Sequence, residues 1–154
     1  MQSDIFTEYV RKYSAAVYRA AYSCTQSRPD SEDIMQDAFL KLYQSGKSFR
    51  DDEHVKAWLL RVAINRARDI MRSSWKKQTD TLETDVTAAL PQHESSLDEA
   101  MSALSKEYRL AVYLHYYEGY GIKEMSRIMG ISEANVKIRL KRARDKLKEF
   151  LTDT

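Results

Sequence analysis

Residues 121–151, GIKEMSRIMGISEANVKIRLKRARDKLKEFL, hold two apolar helical patterns joined by a short break. The first runs from Ile122 to Met129, with Met125, Ile128 and Met129 at helical spacing. The second runs from Glu133 toward Leu151. Between them, Gly130 has no Cβ and so accepts the left-handed backbone found just past a helix C-terminus. Ser132 is placed to accept a hydrogen bond from an orphan N–H of the next helix. Ser126 is small enough for the second helix to cross closely. The spacing predicts a helix-turn-helix, whose second helix lies in the major groove of DNA.

At about 100° per residue, Val136, Leu140, Ala143, Leu147, Phe150 and Leu151 fall on one stripe, the face expected to pack inward. Ala134, Ile138, Lys141, Arg142 and Asp145 lie opposite, flanked by Asn135 and Lys137. From Glu133 to Glu149 seven basic side chains face three acidic ones, a net of +4. Taken alone, this describes a solvated, charge-laced surface helix as well as a DNA-reading one. The preceding turn, the cap and the off-stripe Ile138 favour DNA, because an isoleucine facing away from its own core can meet a thymine methyl.

The 154 residues, 31% charged and 43% hydrophobic, suit one or two small helical domains. Four glycines and two prolines are too few for a loop-rich or many-stranded fold. The single Cys24 rules out an internal disulfide framework and fits a reducing cytosol. No apolar run approaches the roughly 18 residues of a membrane span, and the N-terminus has no signal-peptide pattern. A cytoplasmic location beside the nucleoid and no membrane insertion are expected. The overall charge of +2 hides a segregation. Residues 1–53 carry a net −2, residues 54–78 a net +6, residues 79–105 a net −6 and residues 106–154 a net +4. Two basic stretches separated by an acidic one suggest two contacts with a polyanion.

Residues 3–26 are expected to form a first helix with Phe6, Tyr9, Tyr13, Val17, Ala20 and Cys24 as its core stripe. Cys24 reads as a small buried hydrophobe rather than a reactive thiol. After the break at SRPD, Asp30 is the expected N-cap of a second helix, with Glu32 and Asp33 in its first turn. That helix is expected to reach about Gln44, burying Ile34, Met35, Ala38, Phe39 and Leu42, with Gly46 closing it. Its acidic face is either a solvent coat or a docking surface for a basic partner. In the loop KSFRDDEH, Phe49 either tucks under the helices or meets a ligand. A third helix, from His54 to about Lys77, packs Val55, Leu59, Val62, Ala63, Ala67 and Ile70 inward and crowds its other faces with arginine and lysine. A basic helix bearing aromatics can follow a phosphate backbone while rings stack on unpaired bases, although Trp58 itself reads as core.

Residues 79–96, rich in threonine and acid, read as a flexible linker. Leu97, Ala100, Met101 and Leu104 mark a short helix, Ser105 caps the next, and Tyr113, Tyr116, Tyr117 and Tyr120 read as core aromatics. No phosphate-binding glycine loop or zinc spacing is present, and His54, His93 and His115 are scattered. His115 and Glu118 share a face, which is weak evidence for a metal site. No catalysis, catalytic residue, metal or cofactor is expected.

Taken together, DSEDIMQDAFLKLYQ, SFR, VKAWLLRVAINRARDIMR and the terminal helix-turn-helix resemble the sigma-70 family of bacterial RNA polymerase sigma factors, in its small extracytoplasmic-function (group-four) type. The resemblance covers nearly the whole chain apart from the linker. It implies an all-α fold of two small domains: region 2 over residues 1–78, an acidic linker over 79–96, and region 4 over 97–154. Such proteins bind core RNA polymerase, recognise the −10 and −35 promoter elements, and open the duplex so that transcription starts.

Carried over by position, the resemblance assigns Asp30, Glu32, Asp33, Gln36 and Asp37 to docking on the polymerase. Phe49 and Asn65 match the pocket for a base flipped from the −10 strand; extrusion costs a few kcal/mol, offset by stacking and edge hydrogen bonds. Arg61, Arg66, Arg68 and Arg72 would hold phosphates nearby. Ser132, Asn135, Lys137, Ile138, Lys141 and Arg142 would form the −35 face. The acidic linker resembles the family's connector toward the polymerase active cleft. Gly121 stands where the family usually has Ser or Thr, costing a few tenths of a kcal/mol in capping. Ser126 replaces the usual alanine, and Ile138 stands where a small polar residue is frequent, which points to an unusual −35 preference. With no further domain expected after Thr154, regulation is expected from an anti-sigma factor that masks the polymerase-binding faces. The rival is a stand-alone helix-turn-helix regulator binding operator DNA. It would need a ligand pocket, a receiver domain or a dimerisation helix in the first half, and none is evident there.

Overall fold

The structure is a computed structural model that describes residues 1–77 and 96–152. Every regular element among these residues is helical: α1 (Ser3–Thr25), α2 (Arg28–Gln44), α3 (Asp52–Lys77), α4 (Ser96–Ala103), α5 (Lys106–Val112), a π-helical turn (Tyr113–Tyr117), α6 (Ile122–Met129) and α7 (Glu133–Thr152). The chain divides into two compact units, one built from α1–α3 and the other from α4–α7. The expected acidic linker, residues 79–96, lies outside the described residues except for Ser96, which opens α4.

In the first unit, α1 packs against both α2 and α3. Tyr13, Val17, Ala20 and Cys24 are buried, as the stripe predicts, and Ala16 and Ala21 join them because small side chains let the helices approach. α2 contributes Ile34, Ala38, Phe39 and Leu42, and α3 contributes Val55, Leu59, Leu60, Ala63, Ile64 and Ala67. Met35, Val62 and Ile70, expected in the core, are only half-buried. Leu60 and Ile64 take the deep positions because α3 is covered from two sides and needs a wide apolar face.

The join between α1 and α2 corrects one expectation. Ser27, not Asp30, is the N-cap: its side chain accepts from the Asp30 N–H at 3.3 Å, with Pro29 in the first turn. Asp30 sits in the first turn, where its charge complements the dipole instead. Ser31, fully buried, donates to the Ser27 carbonyl at 2.6 Å and meets Thr25 at 3.1 Å, so its hydroxyl is satisfied inside the core. α2 ends at Ser45 in extended conformation rather than through a left-handed Gly46.

Lys12 on α1 donates to Asp52 at the start of α3 at 2.6 Å. That hydrogen bond, with the carboxylate's charge, raises the Lys12 ammonium above its usual range. Burial, reinforced by Asp52, also pushes the neighbouring Tyr13 phenol up.

In the second unit, Leu104, Val112 and Ala143 form a core cluster with Met101, Tyr108 and Leu147 packed against it. Ser105 occupies the N-cap of α5, but its side chain makes no cap bond. Arg109, nearly buried, donates a guanidinium N–H to the Leu104 carbonyl and so satisfies the end of α4. The tyrosines divide. Tyr113 and Tyr120 are core, whereas Tyr116 and Tyr117 are exposed because the π-helical turn rotates them outward. His115 Nδ1 lies 2.8 Å from the Tyr120 carbonyl, and the Tyr113 hydroxyl donates to Glu118, so this pair is engaged in closing the turn. No helix of the described residues is long and apolar enough to cross a membrane.

Candidate nucleic-acid and partner interfaces

The helix-turn-helix forms as its spacing predicts. Met125, Ile128 and Met129 of α6 and Val136, Leu140 and Ala143 of α7 are buried. Gly130 takes φ 69°, ψ 35°, and its N–H and that of Ile131 both donate to the Ser126 carbonyl, at 2.9 and 3.2 Å. Ser126 adds a bond the sequence did not announce, its hydroxyl donating to the Ile131 carbonyl at 2.5 Å. Its value lies in this bond as well as in its size. Ser132 Oγ accepts from the Asn135 N–H at 3.1 Å, capping α7. Leu151, placed on the inward stripe, is exposed at the end of α7.

Opposite that core, Asn135, Lys137, Ile138, Lys141 and Arg142 are all exposed along one face of α7. Ile138 is 44% exposed, so it is available to an apolar contact that its own fold does not make. Lys141 is paired with Asp145 at 3.1 Å, one turn along. Ser132 opens the same face and keeps its hydroxyl proton for an acceptor while it caps.

α3 sorts its polar residues by angle. His54, Trp58, Arg61, Asn65, Arg68 and Arg72 recur at three- and four-residue steps and share one side of the helix. Phe49 packs edge-on against two of them, with ring centroids 5.2 Å from His54 and 5.7 Å from Trp58. Phe49 is thus brought to the face that carries Asn65. Trp58, read as core, is half-buried and forms a wall for Phe49 instead. Arg66 departs from the group. It lies about 100° round the helix from Asn65 and donates from Nε to Asp37 of α2 at 3.1 Å.

On α2, Glu32, Asp33 and Gln36 are exposed, while Asp30 and Asp37 are partly covered. Glu32 pairs with Arg28 at 3.7 Å. Two apolar residues missed in the sequence reading stand on the same face: Leu40, 54% exposed, and Tyr43, 45% exposed. The signal was available, since both fall off the stripe of Ile34, Ala38 and Leu42, just as Ile138 falls off that of α7. Tyr43 is steadied by Phe6, whose ring stands edge-on at 5.0 Å.

The Sigma-70 region 2 model matches residues 9–77, and the Sigma-70 region 4 model matches residues 94–147. The extracytoplasmic-function (ECF) RNA polymerase sigma factor SigM of Bacillus subtilis is 36% identical over 152 residues, covering 92% of this chain and 91% of its own. SigM of Mycobacterium tuberculosis is 31% identical over 151 residues, covering 95% of this chain and 76% of its own. In solved structures, the sigma factor RpoE of Bartonella quintana, in complex with the anti-sigma factor NepR, has a like fold, with a TM-score of 0.76 at 23% identity and 96% of each chain covered. Two family models in order along the chain, and relatives that match it nearly end to end, show that it belongs to the sigma-70 family of RNA polymerase sigma factors, as a member of the ECF type.

Proposed function

We propose that this chain binds core RNA polymerase through the exposed face of α2, opens the −10 element with the loop–α3 face, and reads the −35 element with α7. As a sigma factor it is an initiation factor rather than an enzyme. Asp30, Glu32, Asp33, Gln36 and Asp37, extended by Leu40 and Tyr43, offer a basic partner an anionic face with an apolar centre. Phe49 and Asn65 receive an extruded base of the non-template strand, while Arg61, Arg68 and Arg72 hold the phosphates beside it. Arg66 belongs to this set by sequence, but its pairing with Asp37 ties it to the α2 face as well. Ser132, Asn135, Lys137, Ile138, Lys141 and Arg142 meet the −35 element, with arginine suited to guanine and Ile138 to a thymine methyl.

The observation that carries this reading is the assembly of Phe49, Trp58, Arg61, Asn65, Arg68 and Arg72 on one side of α3. A stand-alone helix-turn-helix regulator explains residues 94–147 but gives that face, and the whole match over residues 9–77, nothing to do. We further propose an anti-sigma factor that covers the α2 face in the resting cell, and a cytoplasmic location. In vitro transcription with purified core enzyme and a promoter library is the test: selective initiation supports the reading. Tight operator binding without polymerase, together with no initiation, defeats it.

A further inference from the structure

His54 departs from a simple surface role. Asp51 stands at the N-cap of α3, its carbonyl accepting from the Val55 N–H at 3.3 Å and its carboxylate from the His54 N–H at 2.8 Å. His54 in turn reaches back: its Nδ1 lies 3.1 Å from the Arg50 N–H and accepts from it. This is a reciprocal cap in which histidine takes the part usually played by glutamate, displaced by one residue toward the loop. An imidazole that accepts at Nδ1 carries its proton at Nε2. The same ring meets Phe49 edge-to-face, with centroids at 5.2 Å. One side chain therefore fixes the backbone after Phe49 and the ring of Phe49 itself.

We propose that His54 is a positioning residue for −10 strand opening, holding Phe49 ready for the extruded base. The inference rests on the base-pocket reading given above. A loop that must be ordered at the moment of binding loses affinity to the cost of ordering, and a preformed loop avoids that loss. Glutamate at this position would also close the cap, but it would offer Phe49 no aromatic face. Histidine combines an acceptor with a ring, which the two contacts together require.

The test uses the full chain with core polymerase. His54→Ala removes both contacts, His54→Phe keeps a ring without the acceptor, and His54→Asn keeps an acceptor close to the place of Nδ1. In the free protein, NMR-detected exchange of the Arg50 amide is expected to quicken about five- to tenfold in His54→Ala and His54→Phe, the size of one lost hydrogen bond, and to return toward wild type in His54→Asn. Permanganate reactivity of the −10 strand is expected to fall in the same two variants and recover partly in His54→Asn, with binding to a −35 fragment unchanged. Unaltered Arg50 exchange in His54→Ala overturns the inference. So does normal opening by His54→Ala when Phe49→Ala is impaired. Normal opening by Phe49→Ala instead strikes down the base-pocket reading, and the inference with it.

Discussion

Arg66 and Asp37 hold each other across α3 and α2, Nε to Oδ2 at 3.1 Å, with each side chain 44% exposed. The pair joins a residue assigned to polymerase docking with one assigned to the −10 strand. A partner that takes Asp37 releases Arg66, and by linkage DNA that takes Arg66 releases Asp37. Half-exposed pairs of this kind contribute below about 1 kcal/mol. A double-mutant cycle on Asp37→Ala and Arg66→Ala, followed by urea unfolding, is expected to give a coupling of that size. A value of several kcal/mol contradicts it and makes the pair a structural element first.

Charge reversal on the proposed docking face of α2 is expected to separate binding from folding. Asp33→Arg and Asp37→Arg are expected to lose co-purification with core enzyme while circular dichroism and melting remain close to wild type. Exposed and partly covered carboxylates at a helix surface carry little of the core. Retained association with core enzyme in both variants counts against the α2 assignment.

The angular sorting of α3 orders the arginines. Asn65→Ala is expected to impair −10 opening more than −35 binding. Arg61→Ala and Arg72→Ala are expected to impair opening more than Arg66→Ala, whose side chain is turned toward α2. Permanganate footprints of the variants, set beside gel shifts on a −35 fragment, measure this. Equal defects for all three arginines contradict the placement.

On α7, Arg142→Ala is expected to relax −35 sequence choice by about 1–3 kcal/mol if the side chain reads a base. Lys141→Ala is expected to cost less, since Lys141 must first leave Asp145. Binding measured across a set of −35 variants decides between the roles. A uniform loss over all sequences assigns Arg142 to phosphate.

Tyr13 predicts an alkaline limit to the first unit. Burial, then the Asp52 carboxylate, raises its phenol above the usual 10.0, so the folded state favours the neutral form. The associated stability is fully present below the unfolded value and is lost as pH rises through the higher folded one. Unfolding of wild type is therefore expected to become easier above about pH 10, and Tyr13→Phe is expected to lessen that dependence. Identical pH profiles for the two proteins would exclude Tyr13 as its source.

Much of the site was legible because helical spacing carries it. The burial of Val136 and Leu140, the turn at Gly130, the cap at Ser132 and the exposed row from Asn135 to Arg142 all follow from period and backbone chemistry. The position of Phe49 was not. A loop phenylalanine has no period, and only contact with His54 and Trp58 decides between burial and availability. Asp30 misled because Ser27, three residues earlier, caps the helix first and leaves Pro29 and Asp30 inside its first turn. Tyr116 and Tyr117 misled because four neighbouring tyrosines read as one core cluster, whereas two of them lie exposed on the π-helical turn.

What the sequence alone determined is whatever depends on neighbours within about four residues: the helices, their apolar stripes, the reading turn, and the family those motifs mark. The tertiary structure alone decided which charged residues face one another from different helices. Arg66 with Asp37, and Lys12 with Asp52, are 29 and 40 residues apart in the chain. Such pairings depend on how two helices cross, and no local propensity records a crossing.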